Sequence, residues 1–174
     1  KLLSARVAVL GEAQSLVEAL NHAGRSLDNV MSDLDTSIGI KINEANNIIQ
    51  NIAELNYHIR RIEGIGDNAN DFRDQRDLLV DQLSTIVDIQ VEEMADGTYN
   101  IMAAGGVQVV NGDAAALLAV ENAVNAASGE IAGYARSKDD VTHAKDQLNA
   151  LINTLVTGEV TVTLPSGYVT PQDL

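Results

Sequence analysis

The sequence contains no cysteine, and its only two prolines lie near its end, the first of them at Pro165. The absence of cysteine excludes disulfides and thiolate metal sites. Aromatic residues make up 3% of the chain, although hydrophobic residues make up 45%. A core must therefore be built from Leu, Ile, Val and Ala, and this balance favours packed helices over a bulky globular core.

Basic residues are also scarce, since 11 Lys and Arg stand against 25 Asp and Glu, a formal net charge of −14. This charge makes nucleic acid and anionic membrane surfaces poor partners. No run approaches the ~20 consecutive apolar residues of a membrane span, and no signal peptide pattern opens the chain. The chain begins with Lys1, and we interpret it as a fragment, so the missing targeting signal does not bear on the parent protein.

A heptad repeat runs through the first third of the chain. With residue 3 as position a, fifteen of the eighteen a and d positions up to residue 62 are apolar, whereas composition predicts about eight. The pattern predicts a helix of ~90 Å with a left-handed supercoil, whose apolar stripe must pack on other helices. The weak points of this rod are Gly24 and the run around Gly39, where a kink would break it, because helical glycine costs ~1 kcal/mol relative to Ala.

A second helix is predicted after Gly64 and Gly66 stop the first, with Asn68 or Asn70 as its N-cap. Its apolar residues recur at three- and four-residue spacing: Phe72, Leu79, Leu83 and Ile86. Arg76 lies within this stripe, and an unpaired buried charge is costly. We therefore predict that Arg76 is at least partly buried with its guanidinium paired.

From residue 87 the period changes to that of strands. The pattern predicts an antiparallel meander. Its features are an alternating segment, the Asp96-Gly97 turn signal, a returning strand and a third strand, Val107 to Val110. The pattern predicts three or four strands, with a candidate fourth strand near Leu117 to Val120. The meander needs one face packed on helices to be stable. Residues 122–130 are predicted as a loop, followed by a second heptad helix antiparallel to the first.

No residue pattern indicates catalysis, a metal or a cofactor. The three histidines are scattered and are interpreted as solvated helix-surface residues. The carboxylates that alternate with Arg73 and Arg76 are typical of an exposed helix face with i,i+4 pairs such as Arg73 to Asp77. Gly64-Ile65-Gly66 lacks the third glycine of a dinucleotide fingerprint. The chain is therefore predicted not to be an enzyme.

Two motifs in a fixed order resemble the hook-associated protein 1 family, junction proteins of the bacterial flagellum. The segment Leu55-Asn56-Tyr57-His58-Ile59 is similar to the family's L-N-x-x-I, and residues 70–84 to its N-[DN]-L-x-D-Q-R-D-x-L-[LV]-x-[EQ]-L-S. A D-G-T-Y-N-I hairpin and a glycine pair follow, and residues 129–133 are similar to the family's G-G-x-L-G-G. The candidate structural motif comprises Asn70, Asp71, Asp74, Gln75, Arg76, Asp77, Leu79 and Leu83.

The resemblance implies a structural protein that is exported through the flagellar channel to the extracellular flagellum. It would assemble between hook and filament and contact hook protein, the second junction protein and copies of itself, with no cofactor. The fragment alone is expected to be monomeric. The alternative is a helical signalling domain of a bacterial receptor, although such rods do not usually carry a meander between their helices.

The predicted fold class is α+β, mainly α, with long heptad helices in an elongated antiparallel bundle and a small antiparallel β meander. The predicted division is a helical bundle of residues 1–86 and 129–157, a meander of residues 87–122 packed on it, and a truncated β module at 158–174. Elongation predicts a radius of gyration above the ~16 Å of a compact chain of this length, which solution scattering would measure.

Overall fold

The chain is mainly helical, with one small antiparallel sheet between its helices, which confirms the predicted α+β class. The structure is a computed structural model that describes residues 2–157 and the side chains of residues 4–157. In chain order its elements are α1 (Leu2–Glu63), α2 (Asn70–Ile86), β1 (Ile89–Glu93), β2 (Tyr99–Ala103), β3 (Val107–Asn111), β4 (Ala114–Ala115), α3 (Val120–Ala123) and α4 (Glu130–Thr157).

Helix α1 is continuous over 62 residues and passes through Gly39 without a break. The hydroxyls of Thr36 and Ser37 donate to the carbonyls of Ser32 and Asp33, so these residues satisfy their side chains within the helix. No proline interrupts the heptad pattern of this helix. The helix ends where the sequence predicted, since Gly66 adopts a φ of +85° and donates its N–H to the carbonyl of Glu63.

The chain divides into two compact units, Asp28–Thr142 and a second unit of Lys1–Leu27 with His143–Leu174. In the first unit the heptad stripe of α1 is buried at Ile38, Ala45, Ile52 and Ile59. In the second unit, apolar heptad residues of α1 such as Leu10 and Val17 are more than half exposed. The predicted boundaries at residues 86, 122 and 157 stay predictions.

Helix α2 begins at Asn70, but neither predicted asparagine caps it. The N-cap residue is Ala69, which makes no side-chain cap hydrogen bond. Its carbonyl accepts the N–H groups of Phe72 and Arg73, and its methyl group is buried. Burial of a small side chain has overridden capping preference at this turn.

The sheet is a meander with strand order β1-β2-β3-β4 and antiparallel pairing throughout. Residues Ile89 and Ala103 pair at one end of the β1–β2 ladder, and Glu93 and Tyr99 pair at the other. The register between β2 and β3 shifts at Ile101 and Met102. The turn at Gly97 has a φ of +80°, as the predicted Asp-Gly hairpin requires.

The fourth strand is not where the sequence placed it. Strand β4 is Ala114–Ala115, directly after the Gly112 turn, and residues 117–119 carry no strand. Leu118 is buried, and its N–H and C=O bind the side-chain amide of Asn46 on α1. The predicted loop is also shorter than expected, because the one-turn helix α3, Val120–Ala123, extends into it.

The core of the unit Asp28–Thr142 lies between α1, α2, the sheet and the beginning of α4. Helix α4 runs antiparallel to α1 there, as predicted, because Lys41 pairs with Glu130 at 2.8 Å and Asp35 pairs with Lys138. The hydrogen bonds that Lys41 donates to Glu130 and to Glu44 raise its pKa, with Glu130 the larger cause. The predicted β module from residue 158 lies outside the described residues.

Candidate functional site

The candidate site is the junction where the β1–β2 hairpin meets α1 and α2, and Arg76 is its centre. The Arg76 side chain is fully buried, which confirms the prediction from the apolar stripe of α2. Its Nη1 donates to the carbonyl of Gly97 at 2.7 Å and to Oδ1 of Asn56 at 3.1 Å. One guanidinium therefore ties α2 to both the hairpin turn and α1.

The guanidinium of Arg76 also stacks on the ring of Tyr99, with 3.4 Å between its central carbon and the ring centroid. Its nearest carboxylate is Asp77, at 3.8 Å from Nε. Within the described residues, Nε and Nη2 make no hydrogen bond. Burial raises the pKa of Tyr99, although the charge of Arg76 opposes the shift. The positive charge of Arg76 is thus stabilised by the Tyr99 ring, the Asn56 amide and the Gly97 carbonyl.

Asn56 is the partner that sequence reasoning missed, although it lies in the quoted L-N-x-x-I segment. It is fully buried on α1, and its Nδ2 donates to the carbonyls of Tyr99 at 2.9 Å and Gly112 at 2.7 Å. Its Oδ1 accepts the N–H of Tyr99 and Nη1 of Arg76, each at 3.1 Å. All four bonds of this amide are used, as burial of a polar group requires.

Arg73 forms a second clamp at the same junction, and the prediction that it pairs with Asp77 is wrong. Its Nε and Nη2 bind both carboxylate oxygens of Glu63, at 2.6 and 2.7 Å, and its Nη1 binds Glu93 at 2.8 Å. These hydrogen bonds lower the pKa of Glu63 and raise that of Arg73. Arg73 therefore joins the end of α1 to strand β1.

Gly97 is favoured at this junction by its positive φ, and its lack of a side chain leaves room for the ion pair of Arg73 with Glu63. A Cβ atom at this position would lie 2.6 Å from Nη2 of Arg73 and from Oε2 of Glu63. Asp96 stabilises the same turn, because its Oδ1 accepts hydrogen bonds from the hydroxyl Oγ1 of Thr98 at 2.7 Å and from the backbone N–H of Thr98 at 3.1 Å. These bonds lower the pKa of Asp96. The hairpin tip is thus shaped to fit against the two arginine clamps.

The structure separates the eight residues of the predicted motif into two groups. Arg76 and Leu83 lie in the core, and Leu79 is half-buried against it. The other five are exposed on α2: Asn70, Asp71, Asp74, Gln75 and Asp77. The motif therefore combines an arginine that is buried in the core, Arg76, with an acidic face on the exposed side of α2.

Metal and membrane sites are not indicated in the described part of the chain. Residues 2–157 contain no group of three or more His, Asp or Glu residues placed to hold a metal ion. None of the helices described there is both long and apolar enough to cross a bilayer. His58 is not simply solvated as expected, because its ring stacks on Phe72 with 5.3 Å between centroids.

These features define a structural module, in which charged and amide side chains serve to join a hairpin to a long helix. Residues 1–155 match the family described as the flagellar hook-associated protein FlgK helical domain. The chain belongs to this family, which supports a structural role in the bacterial flagellum and does not favour the receptor alternative.

Individual relatives agree with this family. Flagellar hook-associated protein 1 of Escherichia coli (strain K12) is 36% identical over 118 residues, which cover 67% of this chain and 22% of that protein. The protein of the same name from Salmonella typhimurium is 37% identical, with coverages of 67% and 21%. That of Bacillus subtilis (strain 168) is 35% identical over 103 residues, with coverages of 59% and 20%. The chain thus spans about a fifth of the length of these relatives.

Proposed function

We propose that this chain is a non-enzymatic assembly domain of a protein at the hook–filament junction, exported to the extracellular flagellum. Its partners would be hook protein, the second junction protein and other copies of the parent protein. The observation that carries the proposal is the family match over residues 1–155. The names of the relatives, flagellar hook-associated protein 1, support the place of action.

The geometry supports a mechanical role for the domain. Arg76 and Asn56 join α1, α2 and the hairpin through buried hydrogen bonds, and Arg73 joins the same elements at their edge. Asn56 uses all four hydrogen bonds of its amide, and buried polar groups whose partners are satisfied rigidify a fold. A rigid surface mounted on one long helix would fix the spacing of neighbouring subunits, and its task would be geometric.

A deletion in the parent protein tests this role. Removing residues 70–121 takes out α2 and the sheet but leaves all residues of α1 and α4. We expect cells with hooks but without filaments, and filament subunits lost to the medium. Export of the truncated protein must be verified by immunoblotting. Normal filaments on cells that export it would show that this segment is not needed for assembly.

A labelling experiment tests the place of action without disturbing the fold. The chain has no cysteine, and Leu117 is 68% exposed, so Leu117→Cys introduces an accessible thiol at a tolerant position. Gold-coupled maleimide on intact flagella should label the boundary between hook and filament in electron micrographs, and the unsubstituted parent protein is the control. Label along the filament or at the cell surface would contradict the proposed location.

A further inference from the structure

A groove between α1 and α2 lies on the outer side of the candidate site and takes no part in the arginine clamps. It is lined by Glu54, Leu55 and His58 of α1 and by Phe72 and Leu79 of α2. The three apolar side chains are half-buried, so they form an apolar floor that solvent still reaches. Such a floor with a polar rim is the form of a protein-binding groove.

The single Phe of the chain, Phe72, lines this groove together with the ring of His58. The ring of His58 lies flat on Phe72, with 17° between the planes, and Tyr57 meets His58 edge-on at 5.5 Å. Tyr57 and His58 are 43% and 39% exposed. Aromatic side chains lose little conformational entropy on binding, and they are enriched among the residues that dominate binding energy.

The surroundings of the groove are negatively charged. Glu54 lies on its wall with a side chain 71% exposed, and Asp71 and Asp74 are exposed on the neighbouring turns of α2. Among the described residues that line the groove, none is Lys or Arg. The unit Asp28–Thr142 carries seven Lys and Arg against 20 Asp and Glu, a net charge of −13. A second copy would therefore be repelled, whereas a cationic partner would be attracted.

We propose that this groove is a docking site for a short amphipathic helix of another protein, with an apolar anchor flanked by Lys or Arg. From Asn51 to His58 the groove follows about two turns of α1, roughly 10 Å, which matches anchors at i, i+3 or i+4, and i+7. The anchor would fill the floor beside Phe72, and its cationic neighbours would reach Glu54. The proposal extends the assembly role above by naming one contact surface and the chemistry that it takes.

A pair of synthetic helical peptides tests the proposal on the isolated chain. Both carry Leu and one Trp on the same face, and they differ only in having Lys or Glu on the flanks. The chain has no Trp, so peptide fluorescence reports binding without background. We expect the Lys peptide to bind with saturation at one site and at least tenfold more tightly than the Glu peptide. Equal affinities, or no binding of the Lys peptide, would overturn the proposal.

Two groove variants and one matched control distinguish docking from general attraction to an acidic chain. We expect Phe72→Ala to weaken binding of the Lys peptide at least fivefold and Glu54→Lys to move the preference towards the Glu peptide. Asp139→Lys makes the same charge change on the exposed surface of α4 and should alter affinity less than twofold. Equal effects of Glu54→Lys and Asp139→Lys would overturn the groove, with circular dichroism confirming that each variant is folded.

This outcome is separable from that of the proposed function. Peptide binding is measured on the purified chain and does not depend on a flagellum, whereas the deletion and the labelling are read in cells. A groove that fails to bind leaves the assembly role intact. In the converse result, the peptide binds while Leu117→Cys labels another location in cells. That result would support the docking groove and contradict the proposed place of action at the hook–filament junction.

Discussion

At the scale of single residues, two arginines of α2 that are three positions apart act in different ways. The hydrogen bonds and the ring contact of Arg76 are made with groups that do not titrate in the acid range, namely the Asn56 amide, the Gly97 carbonyl and the Tyr99 ring, and its nearest carboxylate, Asp77, is 3.8 Å away. Arg73 is held by the carboxylates of Glu63 and Glu93. Their contributions to stability should therefore differ both in size and in pH dependence.

We predict that Arg76→Met costs at least about 2 kcal/mol in the free energy of unfolding at pH 7, because the buried Gly97 carbonyl loses its donor and Oδ1 of Asn56 keeps only the N–H of Tyr99. Arg73→Met should cost about 1 kcal/mol, the range of a partly exposed ion pair. The folded-state pKa of Glu63 is lowered, so its contribution is present above the unfolded pKa and is lost as the pH falls through the folded one. Urea unfolding at pH 7 and pH 3 measures both.

The cost of Arg73→Met should fall as the pH is lowered from 7 to 3, because Glu63 becomes protonated as the pH falls through its lowered folded-state pKa, while the cost of Arg76→Met should persist. Arg61→Met is the control, because Arg61 is an exposed residue at the end of α1, and its cost should be small at both values of pH. A cost of Arg76→Met that vanishes in acid would mean that a carboxylate, such as Asp77, is the true partner. The assignment of neutral partners would then be wrong.

Sequence reasoning at this scale found the burial of Arg76 but not what surrounds it. The three- and four-residue spacing of Leu79 and Leu83 placed the arginine on the inner face. Its partners come from α1 and the hairpin, 20 and 21 residues away, and no local pattern contains them. The i,i+4 rule predicts Asp77 as the partner of Arg73. Folding instead brings Glu63 and Glu93 close enough to form short, charge-assisted hydrogen bonds with Arg73.

At the scale of elements, the helices and the hairpin could be predicted because each has a strong local signal. The heptad repeat gave α1 its continuity, and the Asp96-Gly97 turn gave β1 and β2 their pairing. Strand β4 could not be predicted, because two alanines have low strand propensity. The tight turn at Gly112 pairs them with β3, while the apolar Leu118 is bound by Asn46 instead of a strand.

Two glycines near the beginning of α4 provide a test of element packing. Gly129 has a φ of +91°, and a Cβ there would lie 2.7 Å from the carbonyl oxygen of Ile86 at the end of α2. Gly133 lies within α4, and a Cβ there would meet nothing within 4 Å. We predict that Gly129→Ala destabilises the fold by more than about 2 kcal/mol, since strain and backbone contact combine.

Gly133→Ala is the matched control and should stabilise the fold by about 0.5–1 kcal/mol, the difference in helix propensity between the two residues. Thermal and urea unfolding followed at 222 nm would measure both variants. Similar effects of the two substitutions would show that α2 and α4 do not approach each other at Gly129. The inferred close contact between the end of α2 and the beginning of α4 would then be wrong.

At the scale of the whole molecule, negative charge is distributed unevenly. The unit Asp28–Thr142 has a net charge of −13, so almost the whole formal charge of −14 lies there. Its attractive pairs are short, such as Arg73 with Glu63 at 2.6 Å and Lys41 with Glu130 at 2.8 Å. The remaining carboxylates repel one another over longer distances, and compaction brings them closer together than in the unfolded chain.

Salt should therefore stabilise this protein. Between about 0.01 M and 0.1 M ionic strength the Debye length falls from about 30 Å to about 10 Å, which screens distant repulsion more than contacts below 3 Å. We predict that Tm rises by about 4 °C, the equivalent of about 1 kcal/mol. Sodium and potassium chloride should act equally, because the effect depends on ionic strength. A fall in Tm would mean that the arginine and lysine pairs outweigh the repulsion, and that the acidic surface does not limit stability.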